Sequence, residues 1–386
     1  MSSPLEGVRV LDLSRLLPGP FCTLILAELG AEVVKLEDTG AGDYLRIIPP
    51  SKNGAGGAYY ALNRGKKSIA IDLKKAEGRE LLLRLLPKFD VVVESFRPGV
   101  LKRLQLDYPV LKKANPNILL CSITGYGQTG PLANRAGHDI NYLALSGTMA
   151  VGGEAQGQPA LPGAQMADVA GGSLWATIRI LAALRTGKGA HIDVSMTEGV
   201  MSLLLPWLGD FAFSKEPLKR GEATLTGGAA CYNVYKTSDD RHLAVGSLEP
   251  KFWASLCSTL GRDVDMSDPV APPARQAQLK EELAEAFAQQ PLDYWQEKLG
   301  PADACIEPVL EMEELAQHPQ HVHREMFYEI DDPKRGPLEQ LRLPLDGEPC
   351  TTPAPDQGQH TFEVLEKELG LNAEDLAALK DKSVIR

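Results

Sequence analysis

Strand and helix signals alternate through the first 125 residues of this chain, and that alternation limits its fold more than any other feature. Residues 8–13 form a short apolar run rich in valine and leucine. Pro18-Gly19-Pro20 breaks it, and residues 21–29 read as a helix that stops at Gly30. Further strand signals fall at 32–36, 68–73, 90–93 and 118–123, with a helix at 76–86 among them. Strands that alternate with helices imply βαβ units, and these build a mostly parallel sheet with helices on both faces. Such sheets bind ligands beyond the carboxyl ends of their strands.

A helix at 169–184 follows, closed by Thr186-Gly187-Lys188-Gly189, then a strand at 192–196 and a helix at 197–213 kinked at Pro206. The polar, glycine-rich stretch 215–228 reads as a linker, and after it the pattern changes. Residues 232–235 and 242–246 read as a hairpin around Asp239-Asp240, followed by amphipathic helices near 250–260, 276–289 and 292–299. The expected fold is therefore α/β: a Rossmann-like large domain with a parallel sheet, plus a smaller α+β domain, joined by two long linkers. The expected boundaries are 1–200 for the first part of the large domain, 201–224 for a helix and linker, and 225–325 for the small domain. A return linker at 326–360 and a C-terminal helix at 361–386, interrupted at Gly370, complete the plan.

Composition excludes several function classes. A formal net charge of −11 argues against nucleic acid as a general partner, although a local basic cleft can still hold an anionic ligand. No apolar run is expected to reach the length of a membrane span, so no membrane partner is expected. Neither end carries the pattern of a targeting signal, and cytoplasmic localisation is expected. The six cysteines form no Cys-x-x-Cys pair, so no metal site and no disulfide framework is expected. No Gly-x-Gly-x-x-Gly follows the first strand. Gly125-Tyr126-Gly127-Gln128-Thr129-Gly130 has similar spacing after the 118–123 strand, but it reads equally well as a tight loop that needs positive φ angles.

Three residues carry the chemistry. His138 and Asp168 each stand at the expected mouth of a helix, where a polar side chain can face a pocket. Imidazole is the natural base near neutral pH, with a reference pKa of about 6.5. Asp168 alone reads as a helix cap. Glu249 precedes Pro250 at another helix start, an ordinary position for an acidic residue. Two proton-transferring groups on opposite sides of a bound carbon can remove a proton from one face and return it to the other.

The segments Pro18-Gly19-Pro20-Phe21-Cys22, Ala136-Gly137-His138-Asp139-Ile140-Asn141-Tyr142, Ala167-Asp168-Val169-Ala170-Gly171-Gly172 and Glu249-Pro250-Lys251-Phe252 resemble the α-methylacyl-CoA racemases. These belong to the family III CoA-transferase (CaiB/BaiF-type) superfamily. The resemblance runs in order from about Leu5 to the C-terminal helix. It implies an isomerase that interconverts (2R)- and (2S)-2-methylacyl-CoA thioesters through an enolate, with no cofactor beyond the CoA of the substrate. His138 and Asp168 would exchange the α-proton, with Glu249 orienting the imidazole and Asp139 placed to tune the same field. Ile71, Asp72, Leu73, Lys74 and Arg97 would contact CoA, and Gly137, Asp139, Ile140, Asn141 and Tyr142 would line the acyl end. Where related racemases often carry arginine this chain has Asp38, and Lys35 or Arg46 is expected to supply the missing phosphate contact. The resemblance also implies an interlocked homodimer, with Glu249 coming from the partner. Its alternative is a CoA transferase in which the Asp168 carboxylate attacks the thioester to form a mixed anhydride.

An enolate must be stabilised as it forms. Backbone N–H groups at a helix start can do this, and that of Asp168 is the expected donor.

Overall fold

A computed structural model describes residues 3–386. Contacts divide the chain into two units. Unit 1 comprises Met1–Ser146, Gly163–Leu203 and Pro319–Arg386, and unit 2 comprises Gly147–Pro162 and Leu204–His318.

In unit 1, strand β1 (Arg9–Asp12) leads through helix α1 (Pro18–Glu28) to β2 (Glu32–Glu37). Strand β3 (Lys67–Ala70), helix α2 (Ala76–Leu85), β4 (Val91–Glu94) and β5 (Leu119–Thr124) follow. Helix α3 (Asp139–Ser146), α4 (Trp175–Leu184), β6 (Ala190–Ser195) and α5 (Met196–Met201) complete this part. The six strands are all parallel, in the order β3-β2-β1-β4-β5-β6. This is the doubly wound arrangement, whose crevice opens where the strand order reverses, between β1 and β4. Val91, Val92 and Val93 are buried because helices cover both faces of the sheet. On one face, Leu82 and Leu85 of α2 pack with Val364, Leu365 and Leu376 of the C-terminal helices Thr361–Leu369 and Ala373–Asp381. On the other face lie α1 and α4.

Several expectations need correction. Pro18-Gly19-Pro20 does not precede α1 but forms its first turn, where proline's fixed φ fits and its missing N–H costs nothing. The helix expected at 169–184 is two pieces, a wide π-helical segment Ala167–Leu174 running into α4, so Asp168 lies inside the first turn rather than at a cap. Together they give 18 residues, Ala167–Leu184, long and apolar enough by length and composition to cross a membrane; here α4 packs on β5 and β6.

Lys35 and Arg46 are also misplaced as phosphate contacts. Lys35 on β2 is 0% exposed; its Nζ lies 3.0 Å from Asp43 Oδ2 and donates to the Ser14 carbonyl at 2.8 Å. Arg46 is buried, with its guanidinium forked onto both Glu37 carboxylate oxygens at 2.6 and 2.8 Å. Each charge is committed to a buried partner and faces no solvent. Asp12 joins the same network beside Lys66. Burial raises its pKa, but Lys35 and Lys66 together with hydrogen bonds from Ser14 and Thr23 hold it at about 2. Lys35→Met leaves the Asp12 and Asp43 carboxylates buried without that cation. It should therefore lower unfolding free energy by about 3–5 kcal/mol, read from the urea midpoint. A loss below about 1 kcal/mol, the scale of an exposed pair, would contradict this account.

Unit 2 is built on an antiparallel sheet of β7 (Tyr232–Lys236), β8 (His242–Gly246) and β9 (Ile306–Pro308), in the order β9-β8-β7. Helices α6 (Pro250–Thr259), α7 (Pro273–Phe287) and α8 (Leu292–Leu299) supply Trp253, Leu279, Leu283, Phe287 and Trp295 to its core. The buried indole N–H of Trp295 donates to the Phe287 carbonyl at 2.9 Å, so the ring packs without an unsatisfied donor. The stretch expected as a return linker carries a hairpin, Phe327–Asp332 with Gly336–Leu341, and lies in unit 1.

Candidate active site

Two adjoining cavities open at the carboxyl ends of β1 and β4. One, of about 500 Å³, is bounded by Leu36, Ile71, Asp72, Leu73 and Lys74. The other, of about 620 Å³, is bounded by Gly137, His138, Asn141, Tyr142, Asp168 and Met196. Arg15, Tyr44, Ser95, Phe96 and Arg97 line both. His138 and Asp168 thus share one compartment, as a two-base arrangement requires. A wider cavity of about 890 Å³ belongs to unit 2, beside β7 and β8. It contains neither of these groups.

The chain reaches His138 through a loop that only glycine permits. A side chain at Gly125 would place its Cβ 2.2 Å from the Tyr142 ring, and one at Gly137 would come 2.7 Å from the same ring. The Tyr142 hydroxyl donates to the Gly137 carbonyl at 2.5 Å, and Tyr126 packs edge-on at 5.1 Å. The 125–130 stretch is a tight loop, with Gly127 and Gly130 at φ 85° and 93°. His138 then opens α3: its carbonyl accepts from the Asn141 N–H at 2.8 Å, and its own N–H donates to Asn141 Oδ1 at 3.0 Å. These backbone bonds fix the residue while the imidazole stays exposed in the cavity wall.

Asp168 is held from the opposite element. The π-helical segment crosses α5 so closely that a Cβ on Gly199 would lie 2.0 Å from the Gly171 carbonyl oxygen. Ser173 Oγ ties it down further, donating to the Pro18 carbonyl at 2.7 Å. The Asp168 N–H donates to Asp139 Oδ1 at 2.9 Å. That overturns its expected part as an enolate donor, because the hydrogen is already engaged. Burial, and then the neighbouring Asp139 carboxylate, push the Asp168 carboxyl up to about 7. It can therefore give or take a proton near neutrality, a common property of groups tuned for acid–base work.

The other expected residues divide. Gly137, Asn141 and Tyr142 line the cavity with His138, and the 71–74 segment and Arg97 line the adjoining one. Asp139 lies behind Asp168, and the Ile140 side chain is 45% exposed outside both sets of walls. Glu249 belongs to unit 2, where it is exposed just before α6 and its side chain makes no capping hydrogen bond.

Several residues in these walls escaped the sequence reading, among them Arg15, Tyr44, Phe96, Thr124 and Arg135. Thr124 is buried at the end of β5, and its Oγ1 has no hydrogen-bond partner within the protein. The signal was available: Arg15, Phe96 and Thr124 all stand at the carboxyl ends of predicted strands, where doubly wound sheets place their ligands.

Two arginines shared by adjoining cavities, a histidine and a raised carboxyl in one wall, and a doubly wound sheet are the marks of an enzyme site. Residues 5–361 match the CoA-transferase family III. The chain is 36% identical to the α-methylacyl-CoA racemase of Mus musculus, over 99% of this chain and 97% of the relative. It is 34% identical to the succinyl-CoA:glutarate CoA-transferase of Homo sapiens, over 99% of this chain and 90% of that one. The crystal structure of a CAIB/BAIF family protein from Brucella suis superposes with a TM-score of 0.84 at 31% identity, covering 95% of this chain and all of that one. The chain is an enzyme of CoA-transferase family III.

Proposed function

We propose that this enzyme racemises 2-methylacyl-CoA thioesters. The observation that carries the reading is the placement of an imidazole and a near-neutral carboxyl, His138 and Asp168, in the wall of one cavity. One group takes the α-proton as the C–H bond breaks, and its electron pair moves into the thioester to form an enolate. The other group then delivers a proton to the opposite face of the carbon. A thioester already acidifies its α-carbon, so the chemistry calls for no resident cofactor.

The enolate oxygen needs donors other than the Asp168 N–H. Helix α3 begins at Asp139, and the first N–H groups of a helix have no acceptor within it. We assign the oxyanion to this helix start, which follows directly on His138 in the cavity wall. One well-aimed donor is typically worth about 3–4 kcal/mol at such an oxygen. The CoA moiety runs into the adjoining cavity, along 71–74 and Arg97.

The proposed assembly is an interlocked homodimer in which Glu249 of the second copy orients the imidazole. Exposed apolar side chains support a covering partner: Leu174, Trp175 and Ile178 in unit 1, and Leu205 and Phe213 in unit 2.

One specific observation favours a second reading. An aspartate that lines the cavity with a carboxyl tuned to about 7 can also act as a nucleophile, forming a mixed anhydride in CoA transfer. Incubation with a single 2-methylacyl-CoA in deuterated water separates the two. Racemisation predicts deuterium at Cα with inversion and no need for an acceptor acid. Transfer predicts a hydroxylamine-trappable anhydride and turnover that depends on a carboxylic acid; that result, without exchange, would sink the racemase reading.

A further inference from the structure

We propose that Arg15 grips the pyrophosphate of the CoA moiety and, with Arg97, clamps it at the junction of the two cavities. The inference rests on the CoA-thioester reading above and adds to it a residue that reading did not contain.

In this sheet the strand order reverses between β1 and β4, and the chain leaving each of these strands borders the crevice. Arg15 follows β1 and Arg97 follows β4. Among the described residues lining these cavities, they are the arginine and lysine side chains common to both. Lys74 borders only the cavity at 71–74, and Arg135 only the one with His138. CoA joins its nucleoside to its acyl group through the diphosphate and then pantetheine, and in a molecule lying across both cavities we place the diphosphate at the junction, where the charge that matches it is found. The two guanidinium groups stand there.

Arg15 is also built for the task. Its backbone N–H donates to Ser95 Oγ at 3.2 Å. The next residue, Leu16, turns into the left-handed region at φ 64°, and its N–H donates to the buried Asp43 carboxylate at 3.2 Å. The guanidinium lies over the Tyr44 ring at 4.9 Å and the Phe96 ring at 5.6 Å. Phe96 is fixed in turn, since its N–H donates to Glu94 Oε2 at 2.6 Å. A guanidinium already held between rings loses little rotamer freedom on binding, and its planar fork matches phosphate oxygens.

Its charge is available. The nearest carboxylate, Asp38, is 3.9 Å away across a pair that is one-third and nearly half exposed, which makes a weak ion pair. Asp38 has its own structural work, accepting from the Gly40 and Gly42 N–H groups at 2.8 and 3.2 Å. Lys35 and Arg46, by contrast, are locked into buried carboxylates.

The test is calorimetric titration of the full-length protein with CoA, 3′-dephospho-CoA and an acyl-pantetheine that lacks phosphate. Arg15→Met should weaken CoA and dephospho-CoA alike by roughly 10- to 100-fold, the range for a hydrogen-bonded charge, and leave the pantetheine compound unchanged. The salt dependence of CoA binding should become shallower. Arg15→Lys, which keeps the charge without the fork, should fall between. CoA affinity in Arg15→Met within twofold of wild type overturns the proposal, and so does an equal loss for the pantetheine compound. A loss confined to CoA and absent with dephospho-CoA moves the contact to the 3′-phosphate and overturns the junction clamp. If the wild-type protein binds none of the three, it is the CoA reading of the site that fails.

Discussion

Alanine at His138 should lower deuterium incorporation at Cα by about 10²- to 10⁴-fold, the usual contribution of one positioned acid–base group. Affinity for CoA should stay close to wild type. The separation follows from how the residue is built. The imidazole is exposed in the cavity wall, so its removal leaves no buried group without a partner. The start of α3 is held by the His138 carbonyl and N–H, which alanine retains. The segment 71–74, along which CoA is proposed to run, borders the other cavity. Mass spectrometry of the recovered thioester gives the exchange rate, and titration calorimetry gives the affinity. Wild-type exchange in this variant would remove the imidazole from the mechanism. A variant that kept full acid-dependent CoA transfer would instead point to Asp168 working alone.

The sheet was legible in the sequence because its strands are buried on both faces and read as apolar runs between turn signals. Every strand expected in unit 1 is present within a few residues. What the pattern does not contain is the order of the strands, since it shows where a strand lies and not which neighbour it pairs with. The switch point between β1 and β4 therefore emerged only in three dimensions, and with it Arg15. Charge was misread for a similar reason. Lys35 and Arg46 looked available because a lysine or arginine shows its sign in the sequence but not its partner. Lys35 meets Ser14 where the β1 and β2 ends come together, and Lys35 meets Asp43 and Arg46 meets Glu37 where the segment after β2 folds back on it. Asp168 lies in the cavity wall, but its local structure differs from the expected cap. A capping aspartate and an aspartate inside a π-helical turn have the same sequence signature, and Asp139, the group that engages its N–H, lies 29 residues away.

That Asp139–Asp168 contact gives the second large effect. Asp168→Asn removes the carboxyl that either chemistry needs, as a proton carrier or as a nucleophile, so turnover should fall by at least about 10²-fold in both assays. Asp139→Asn is the more discriminating change. Its amide oxygen still accepts from the Asp168 N–H, but the negative charge is gone. A carboxyl raised to about 7 is protonated below that pH and ionised above it. Removing a neighbouring negative charge favours the ionised form, so the Asp168 titration should move towards acid. The movement is partial, because burial is the larger cause of the elevation and the substitution leaves burial in place. In a racemase one proton is shared between Asp168 and His138, and the pH profile belongs to the pair. The limb of the kcat/KM profile that follows Asp168 should therefore move to lower pH in Asp139→Asn. A profile that stays in place, or moves to higher pH, would mean that the Asp139 charge does not act on the reacting carboxyl, and Asp139 would be left with only its hydrogen bond to the Asp168 backbone.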